Sequence, residues 1–232
     1  MNELKHLGII LDGNRRLAKR LQLQPWKGHE MGAGKVEKLF QWARDLGIEE
    51  LTLYALSIDN FSKRPEEELK FLYGIFRKEF EKLRDDERLI EEGVRIHFIG
   101  RREMLPEDMQ QIMKDLEDKT VDNDKYRVNF ALAYGGREEI VDSVKKIAVQ
   151  VRDGCLEVED IDKETINNHL DLPRHPQLII RTGGEFRTSN FLVWQSAYSE
   201  WYVLKKFWPE FEKDDLVRAK DSFENRDIRL GK

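Results

Sequence analysis

The sequence is short of cysteine, of long apolar runs and of net positive charge. Its one cysteine, Cys155, excludes an internal disulfide and a multi-cysteine metal site, and is typical of a reducing compartment. The longest early apolar run, 7–11, is too short for a signal peptide or a membrane span. A net charge of −5 argues against general binding to nucleic acid. We therefore expect a cytoplasmic protein whose anion sites arise from local clusters of arginine.

The chain also lacks internal repeats, low-complexity tracts and linkers rich in proline, glycine and serine. Its 232 residues, 40% of them hydrophobic, suit a single domain over 1–232 with a substantial core. Apolar runs of strand character alternate with helical periodicity, which predicts an α/β fold with a mostly parallel sheet. The predicted strands are 7–11, 51–56, 94–99, 128–134 and 177–182, and the predicted helices are 28–46, 65–92, 106–119, 136–152, 163–170 and 213–225.

The last predicted strand ends in a segment rich in glycine and arginine. Ligands of such sheets bind beyond the carboxyl ends of the strands. Arg181 and Arg187 bracket the pair Gly183 and Gly184, and Ser189 follows. Glycines leave backbone N–H groups exposed, and guanidinium forks match tetrahedral oxyanions, so this segment predicts a phosphate or diphosphate site. The alternative is a β-turn with surface arginines.

Polar residues also follow the first predicted strand. Asp12, Gly13 and Asn14 precede the cations Arg15 and Arg16. A carboxylate near a metal, a glycine that lets phosphate approach the backbone and arginines on the oxygens suit a magnesium-diphosphate. His29, seventeen residues after Asp12, is expected to reach the same anion. An Asp-Gly turn with solvated arginines is the alternative.

The second predicted strand is followed by Ser57 and Asn60, hydrogen-bonding groups three residues apart, and then by the cations Lys63 and Arg64. We interpret these residues as part of the same strand-end site. The alternative is the start of a helix, with Ser62 as its N-cap before a proline.

These three segments together resemble the cis-prenyltransferase family, which includes the undecaprenyl and dehydrodolichyl diphosphate synthases. The resemblance extends over essentially the whole chain. It implies a central, mostly parallel six-stranded sheet flanked by helices, with a hydrophobic tunnel walled by 65–92 and 128–134. The motifs that carry it are DGNRR at 12–16, SIDNF at 57–61, AYGGREEIV at 133–141, IRTGGEFRTSNFLVWQ at 180–195 and WPEF at 208–211.

The resemblance implies Mg²⁺-dependent condensation of isopentenyl diphosphate with an allylic prenyl diphosphate, giving a Z-polyprenyl diphosphate. It also implies a homodimer, in which the C-terminal R-x-G at 229–231 reaches the partner's site. A peripheral membrane contact during product release stays open. By resemblance, Asp12 and Glu200 hold the metal, and Asp12, Asn14, Ser57 and Asn60 are catalytic. The substrate-binding residues are Gly13, Arg15, Arg16, His29, Lys63, Arg64, Arg181, Gly183, Gly184, Arg187, Ser189, Arg229 and Gly231.

The departures from the family pattern lie at the allylic end. Arg15 stands where the family has glycine, Leu17 where it has tryptophan, and Pro25 where it has arginine. Lys63 takes the position of another arginine, which is displaced by one place to Arg64. We interpret these changes as a remodelled allylic pocket. Two alternatives remain: a short-chain or alcohol-directed prenyltransferase, and a non-catalytic partner subunit. Retention of Asp12 and of the arginine and serine set argues against the second.

Overall fold

Six parallel strands form one sheet in this computed structural model, which describes residues 3–226. The strand order is β3-β4-β2-β1-β5-β6. Every pairing within the sheet is parallel, which confirms the predicted fold class. The strands are β1 (His6–Ile10), β2 (Glu50–Ser57), β3 (Val94–Ile99), β4 (Tyr126–Tyr134), β5 (Leu178–Arg181) and β6 (Glu200–Val203).

Helices connect most of the strands and cover the sheet. Among the described residues none of these helices is long and apolar enough to cross a bilayer. The helices are α1 (Asn14–Arg20), α2 (Pro25–Asp45), α3 (Ile58–Lys63), α4 (Glu66–Arg84), α5 (Arg88–Glu91), α6 (Glu107–Thr120), α7 (Gly136–Arg152), α8 (Lys163–His169) and α9 (Lys213–Glu224).

The two faces of the sheet carry separate apolar clusters. Because successive side chains of a strand point to opposite faces, neighbouring residues divide between the clusters. Ile9 and Leu53 belong to the larger cluster, whereas Ile10 and Tyr54 belong to the smaller one. Helices α2, α4, α6 and α9 all contribute to the larger cluster. Trp208 is 1% exposed within it.

The prediction of one long helix over 65–92 is wrong, because the helix is interrupted after Arg84. Helix α4 ends there, and the short α5 begins at Arg88. Asp86 accounts for the break, since its Oδ1 accepts from the backbone N–H of Arg88 at 3.0 Å and its carboxylate also binds the Arg88 guanidinium. Such a local side-chain bond competes with continuation of the helix.

Two further details differ from the prediction. The sequence pattern did not locate strand β6, although the resemblance implied six strands; all four of its residues are only half-buried, at the edge of the sheet. Ser62 does not cap α4; its hydroxyl donates to the carbonyl of Ile58 at 3.0 Å. The cap in this region is Ser57, whose Oγ accepts from the Asn60 N–H at 3.0 Å and starts α3.

A small polar network lies inside the sheet. His6 is 6% exposed, and its Nε2 is 2.8 Å from Thr52 Oγ1. Asn129 donates to the same hydroxyl at 3.0 Å and to Glu50 at 2.8 Å. Burial lowers the pKa of His6 below its ordinary value, so the imidazole stays neutral in the folded protein.

We expect His6 to make the fold sensitive to acid. Because the unfolded chain takes up this proton near pH 6.5 and the folded one only at lower pH, stability present at neutral pH is lost as the pH falls below 6.5. One proton corresponds to about 1.4 kcal/mol per pH unit. Urea unfolding across this range should show a shallower acid slope for His6→Gln than for the native protein. Equal slopes would contradict the assignment.

Candidate active site

The loops after β1 and β5 meet at the carboxyl edge of the sheet. Ile10 pairs with Arg181 in the parallel register, which places Asp12 next to the start of the 182–190 loop. The carbonyl of Asp12 accepts from Thr182 Oγ1 at 2.7 Å and from the backbone N–H of Trp208 at 2.9 Å. Three chain segments are therefore fixed at one point.

Asp12 and Arg181 form the central ion pair of this edge. The Oδ2 atom of Asp12 is 2.8 Å from Arg181 Nη2, and Arg181 is 3% exposed. Nη1 of Arg181 donates to Ser189 Oγ at 2.8 Å and to the carbonyl of Arg187. A buried guanidinium needs such a carboxylate partner. This pair thus orients Ser189 and the segment around it.

A chain of ion pairs continues from Asp12 across the site. Its Oδ1 lies 3.0 Å from Arg16 Nη2, and Arg16 Nη1 lies 3.2 Å from Glu185. The second oxygen of Glu185 accepts from Arg187 at 2.6 Å. Glu185 was not among the predicted site residues, although it stands in the predicted glycine–arginine motif. It links an arginine of the first loop to an arginine of the second.

The 183–192 segment holds these groups through left-handed backbone conformations. Gly183 has φ 89°, and a Cβ atom there would lie 2.3 Å from Arg16 Nη2. Asn190 has φ 63°, and its Oδ1 accepts from the Arg137 N–H at 2.9 Å while its Nδ2 donates to Glu138 at 2.7 Å. Asn190 therefore ties the segment to the start of α7. Its role requires a contact that the sequence does not reveal.

A second buried cluster lies where α2 approaches α4. Arg64 Nη1 is 2.9 Å from Glu68 Oε1 and 3.1 Å from His29 Nε2. Arginine can only donate, so Nε2 of His29 accepts and its proton lies on Nδ1. Burial, followed by the charges of Arg64 and Arg15, lowers the pKa of His29 to about 3. His29 is therefore neutral and can donate a hydrogen bond only through Nδ1. The positive charge of this pair lies on Arg64.

The predicted site residues surround a polar cavity of about 890 Å³. The structure brings together residues from the ends of β1, β2 and β5. Predicted residues that line it are Asp12, Gly13, Asn14, Arg15, Arg16, His29, Ser57, Asn60, Lys63, Arg64, Arg181, Arg187 and Ser189.

An apolar cavity of about 460 Å³ adjoins the polar one. Asn14 and His29 line both, so the two share a boundary. The apolar cavity runs between α2, α4 and the sheet, where the resemblance places the hydrophobic tunnel. Its apolar walls include Val36, Phe40, Leu53, Leu72, Ile75, Phe76, Phe80, Leu83, Leu89, Val128 and Phe130.

Some predicted residues lie elsewhere. Glu200 pairs with Leu178 at the start of β5, about 10 Å along the strand from Arg181, so one chain does not bring Glu200 beside Asp12. Lys63 lines the polar cavity, but its side chain is 77% exposed and binds Asp59, whereas Arg64 is the buried cation. Gly183 and Gly184 shape the loop without lining the polar cavity. Arg229 and Gly231 lie outside the described residues.

Glu68 is a further residue that sequence analysis missed. It lies in the run EEE at 66–68, which has the pattern of a solvated helix start. Nevertheless its side chain is only 8% exposed, and it binds Arg64 and lies 3.6 Å from Arg15. The i to i+4 spacing of Arg64 and Glu68 was the available signal.

Arginines around a polar cavity that adjoins an apolar cavity suit a transferase of prenyl diphosphates. The prenyltransferase family model for undecaprenyl diphosphate synthases matches residues 10–231. The chain therefore belongs to the undecaprenyl diphosphate synthase family. Both the family and the prenyl-transfer activity predicted from sequence are confirmed.

Known relatives cover almost the whole chain. A tritrans,polycis-undecaprenyl-diphosphate synthase (geranylgeranyl-diphosphate specific) of Methanocaldococcus jannaschii is 48% identical over 98% of this chain and 82% of its own. An isoprenyl transferase of Thermus thermophilus is 44% identical over 98% and 89%. The crystal structure of lavandulyl diphosphate synthase from Lavandula x intermedia with dimethylallyl diphosphate has a TM-score of 0.91, 34% identity and 99% coverage of both chains.

We expect Asn190 to be required for the shape of the 183–192 segment. Asn190→Ala loses two hydrogen bonds and replaces asparagine, which tolerates a left-handed backbone, by alanine, which tolerates it less; together these changes should cost about 2–4 kcal/mol. Asn190→Gly loses the same bonds without the backbone strain and should cost about 1–2 kcal/mol. Urea unfolding measures both. If both variants are as stable as the native protein, the proposed role of Asn190 is contradicted.

Proposed function

We propose that this enzyme extends geranylgeranyl diphosphate with isopentenyl diphosphate, in cis and repeatedly, to a long Z-polyprenyl diphosphate. The donor is suggested by the names of relatives that are 48% and 46% identical. The observation that carries the proposal is the junction of the polar and apolar cavities at Asn14 and His29. A diphosphate bound in the polar cavity would leave its hydrocarbon chain facing the apolar cavity.

The cations of the polar cavity would stabilise the departing diphosphate. During each condensation the allylic C1–O bond breaks, and its electron pair leaves with pyrophosphate. The double bond of isopentenyl diphosphate forms the new bond to C1, and a proton is lost from the incoming unit. Negative charge grows on the leaving oxygens, and preorganised donors around them lower the barrier. Arg15, Arg64 and the Nδ1–H of His29 would bind the allylic group, while Arg181, Arg187 and Ser189 would bind isopentenyl diphosphate.

We propose that Asp12 holds Mg²⁺ together with a substrate diphosphate. Protein-bound Mg²⁺ takes oxygen ligands, usually one or two carboxylates with substrate phosphates, and Asp12 is a carboxylate of the polar cavity. When bound, the ion supplies positive charge to the leaving group. Among residues 3–226 no three acidic, histidine or cysteine side chains cluster as a metal site, which fits an ion that arrives with its substrate. A bound metal ion would also replace Arg16 as a partner of Asp12.

We propose a homodimeric, single-domain enzyme in the cytoplasm. Glu200 is remote from Asp12 in its own chain, so a role at the metal requires a second copy. The strongly exposed Phe186 and Tyr198 suit burial between such copies. The tail at 229–231 would complete the partner's isopentenyl diphosphate site.

Asp12→Ala and Arg187→Ala test the site. We expect each to lower incorporation of labelled isopentenyl diphosphate at least about tenfold, because a charged hydrogen bond contributes about 1.5–3 kcal/mol. Arg152→Ala, at the exposed end of α7, is the matched control and should retain native activity. Incorporation should also require Mg²⁺. Native rates in either site variant would refute the assignment.

Val36→Phe tests the apolar cavity. Val36 lines it from α2, so a larger side chain should stop the growing hydrocarbon early while the first condensation proceeds. Reaction with geranylgeranyl diphosphate, resolved by product length, should show a shift to shorter chains. Val149→Phe, on the exposed face of α7, should leave the distribution unchanged. An unaltered product length for Val36→Phe would argue against this path for the chain.

A further inference from the structure

One oxygen of Glu68 lies near two arginines and one neutral histidine at the allylic end of the polar cavity. Oε1 lies 2.9 Å from Arg64 Nη1, 3.4 Å from His29 Nε2 and 3.6 Å from Arg15 Nε. Among the described residues those lining the two cavities do not include Glu68, whereas Arg15, His29 and Arg64 line the polar one. Glu68 thus lies behind Arg15 and Arg64, the cations that a diphosphate would meet, and it acts on an anion only through them.

Arg64 depends on this carboxylate. Its side chain is 12% exposed, and its Nε is buried without a hydrogen-bond partner among residues 3–226. A buried cation that loses its counter-ion is strongly destabilised, so Arg64 needs an anion at all times. When the cavity is empty of substrate, Glu68 is that anion.

Arg15 is held more loosely. Its side chain is 55% exposed, and 3.6 Å is longer than a hydrogen bond. By contrast, Arg16 lies 3.0 Å from Asp12, and Arg181 lies 2.8 Å from it. Arg15 can therefore turn from Glu68 to a diphosphate at little cost, while Arg64 has to share its charge between the two.

We propose that Glu68 is a positioning residue that serves as the resident counter-ion of the allylic subsite and competes with bound diphosphate for Arg15 and Arg64. This inference rests on the proposed function and adds a role that the chemistry of repeated condensation needs. Each cycle leaves a pyrophosphate, which must depart before the lengthened allylic diphosphate takes its place. A subsite of unpaired cations would retain pyrophosphate. Glu68 offers the cations an alternative partner and so favours its release.

Glu68→Gln separates charge from position. Its amide oxygen still accepts a hydrogen bond from Arg64, but the competing negative charge is gone. Glu66→Gln is the matched control, because Glu66 lies in the same first turn, is 79% exposed and binds only Lys70 among its described salt-bridge partners. The probe is inorganic pyrophosphate with Mg²⁺, measured by titration calorimetry on the full-length native protein and on each variant.

We expect Glu68→Gln to bind pyrophosphate about three- to tenfold more tightly than the native protein, since a charged partner for two cations is replaced by a neutral one. Pyrophosphate should likewise inhibit repeated condensation at lower concentration. Glu66→Gln should match the native protein in both. Damage to the structure would only weaken pyrophosphate binding. Tighter binding by Glu68→Gln therefore identifies competition between Glu68 and pyrophosphate for the arginines.

Equal or weaker pyrophosphate binding by Glu68→Gln overturns the inference. If that variant does not fold, Glu68→Asp replaces it: the shortened side chain withdraws the carboxylate from Arg15 and should also tighten binding, whereas unchanged or weaker binding overturns the inference. The outcome is distinct from failure of the proposed function. A native protein that neither binds pyrophosphate nor incorporates isopentenyl diphosphate refutes both, while an active native protein with unaltered Glu68→Gln binding refutes only the role of Glu68.

Discussion

The site depends on the pairing of each buried cation with a carboxylate of the same chain. Five arginines line the polar cavity, and three carboxylates, Asp12, Glu68 and Glu185, are their partners. Without these carboxylates the cations would repel one another at the strand ends, and Arg181 would be an uncompensated buried charge. With them, an excess of positive charge remains for a diphosphate. Under the proposed function, the same contacts would set both stability without substrate and affinity for substrate.

The separation of charge from hydrocarbon follows from how α2 crosses the site. Gly28 lies so close to α1 that a Cβ atom would be 2.0 Å from the Asn14 carbonyl, and Gly32 approaches the Asn14 side chain in the same way. This close crossing places His29 at the boundary of the two cavities and directs the following turns of α2 along the apolar one. Under the proposed function, a diphosphate and its lipid tail would thus meet opposite surroundings within one helix length.

Much of the fold and of the candidate site could be predicted from sequence. Continuous apolar runs mark the buried strands, and glycines beside charged residues mark the strand ends where ligands bind. Other features depend on contacts between distant segments. Arg64, and not Lys63, is buried because of where α3 ends. Glu68 is buried because α2 approaches it. A half-buried edge strand such as β6 and the break at Asp86 leave no periodic signal.

The left-handed residues of the 183–192 segment have a consequence for changing the enzyme's substrate range. Gly183, Gly184, Ser189, Asn190 and Leu192 all have positive φ. Most side chains, and β-branched ones above all, resist that conformation, so random libraries placed here would consist largely of misfolded members. The walls of the apolar cavity carry no such backbone restriction. Laboratory evolution toward new prenyl chains should therefore diversify α2 and α4 and leave the arginine segment untouched.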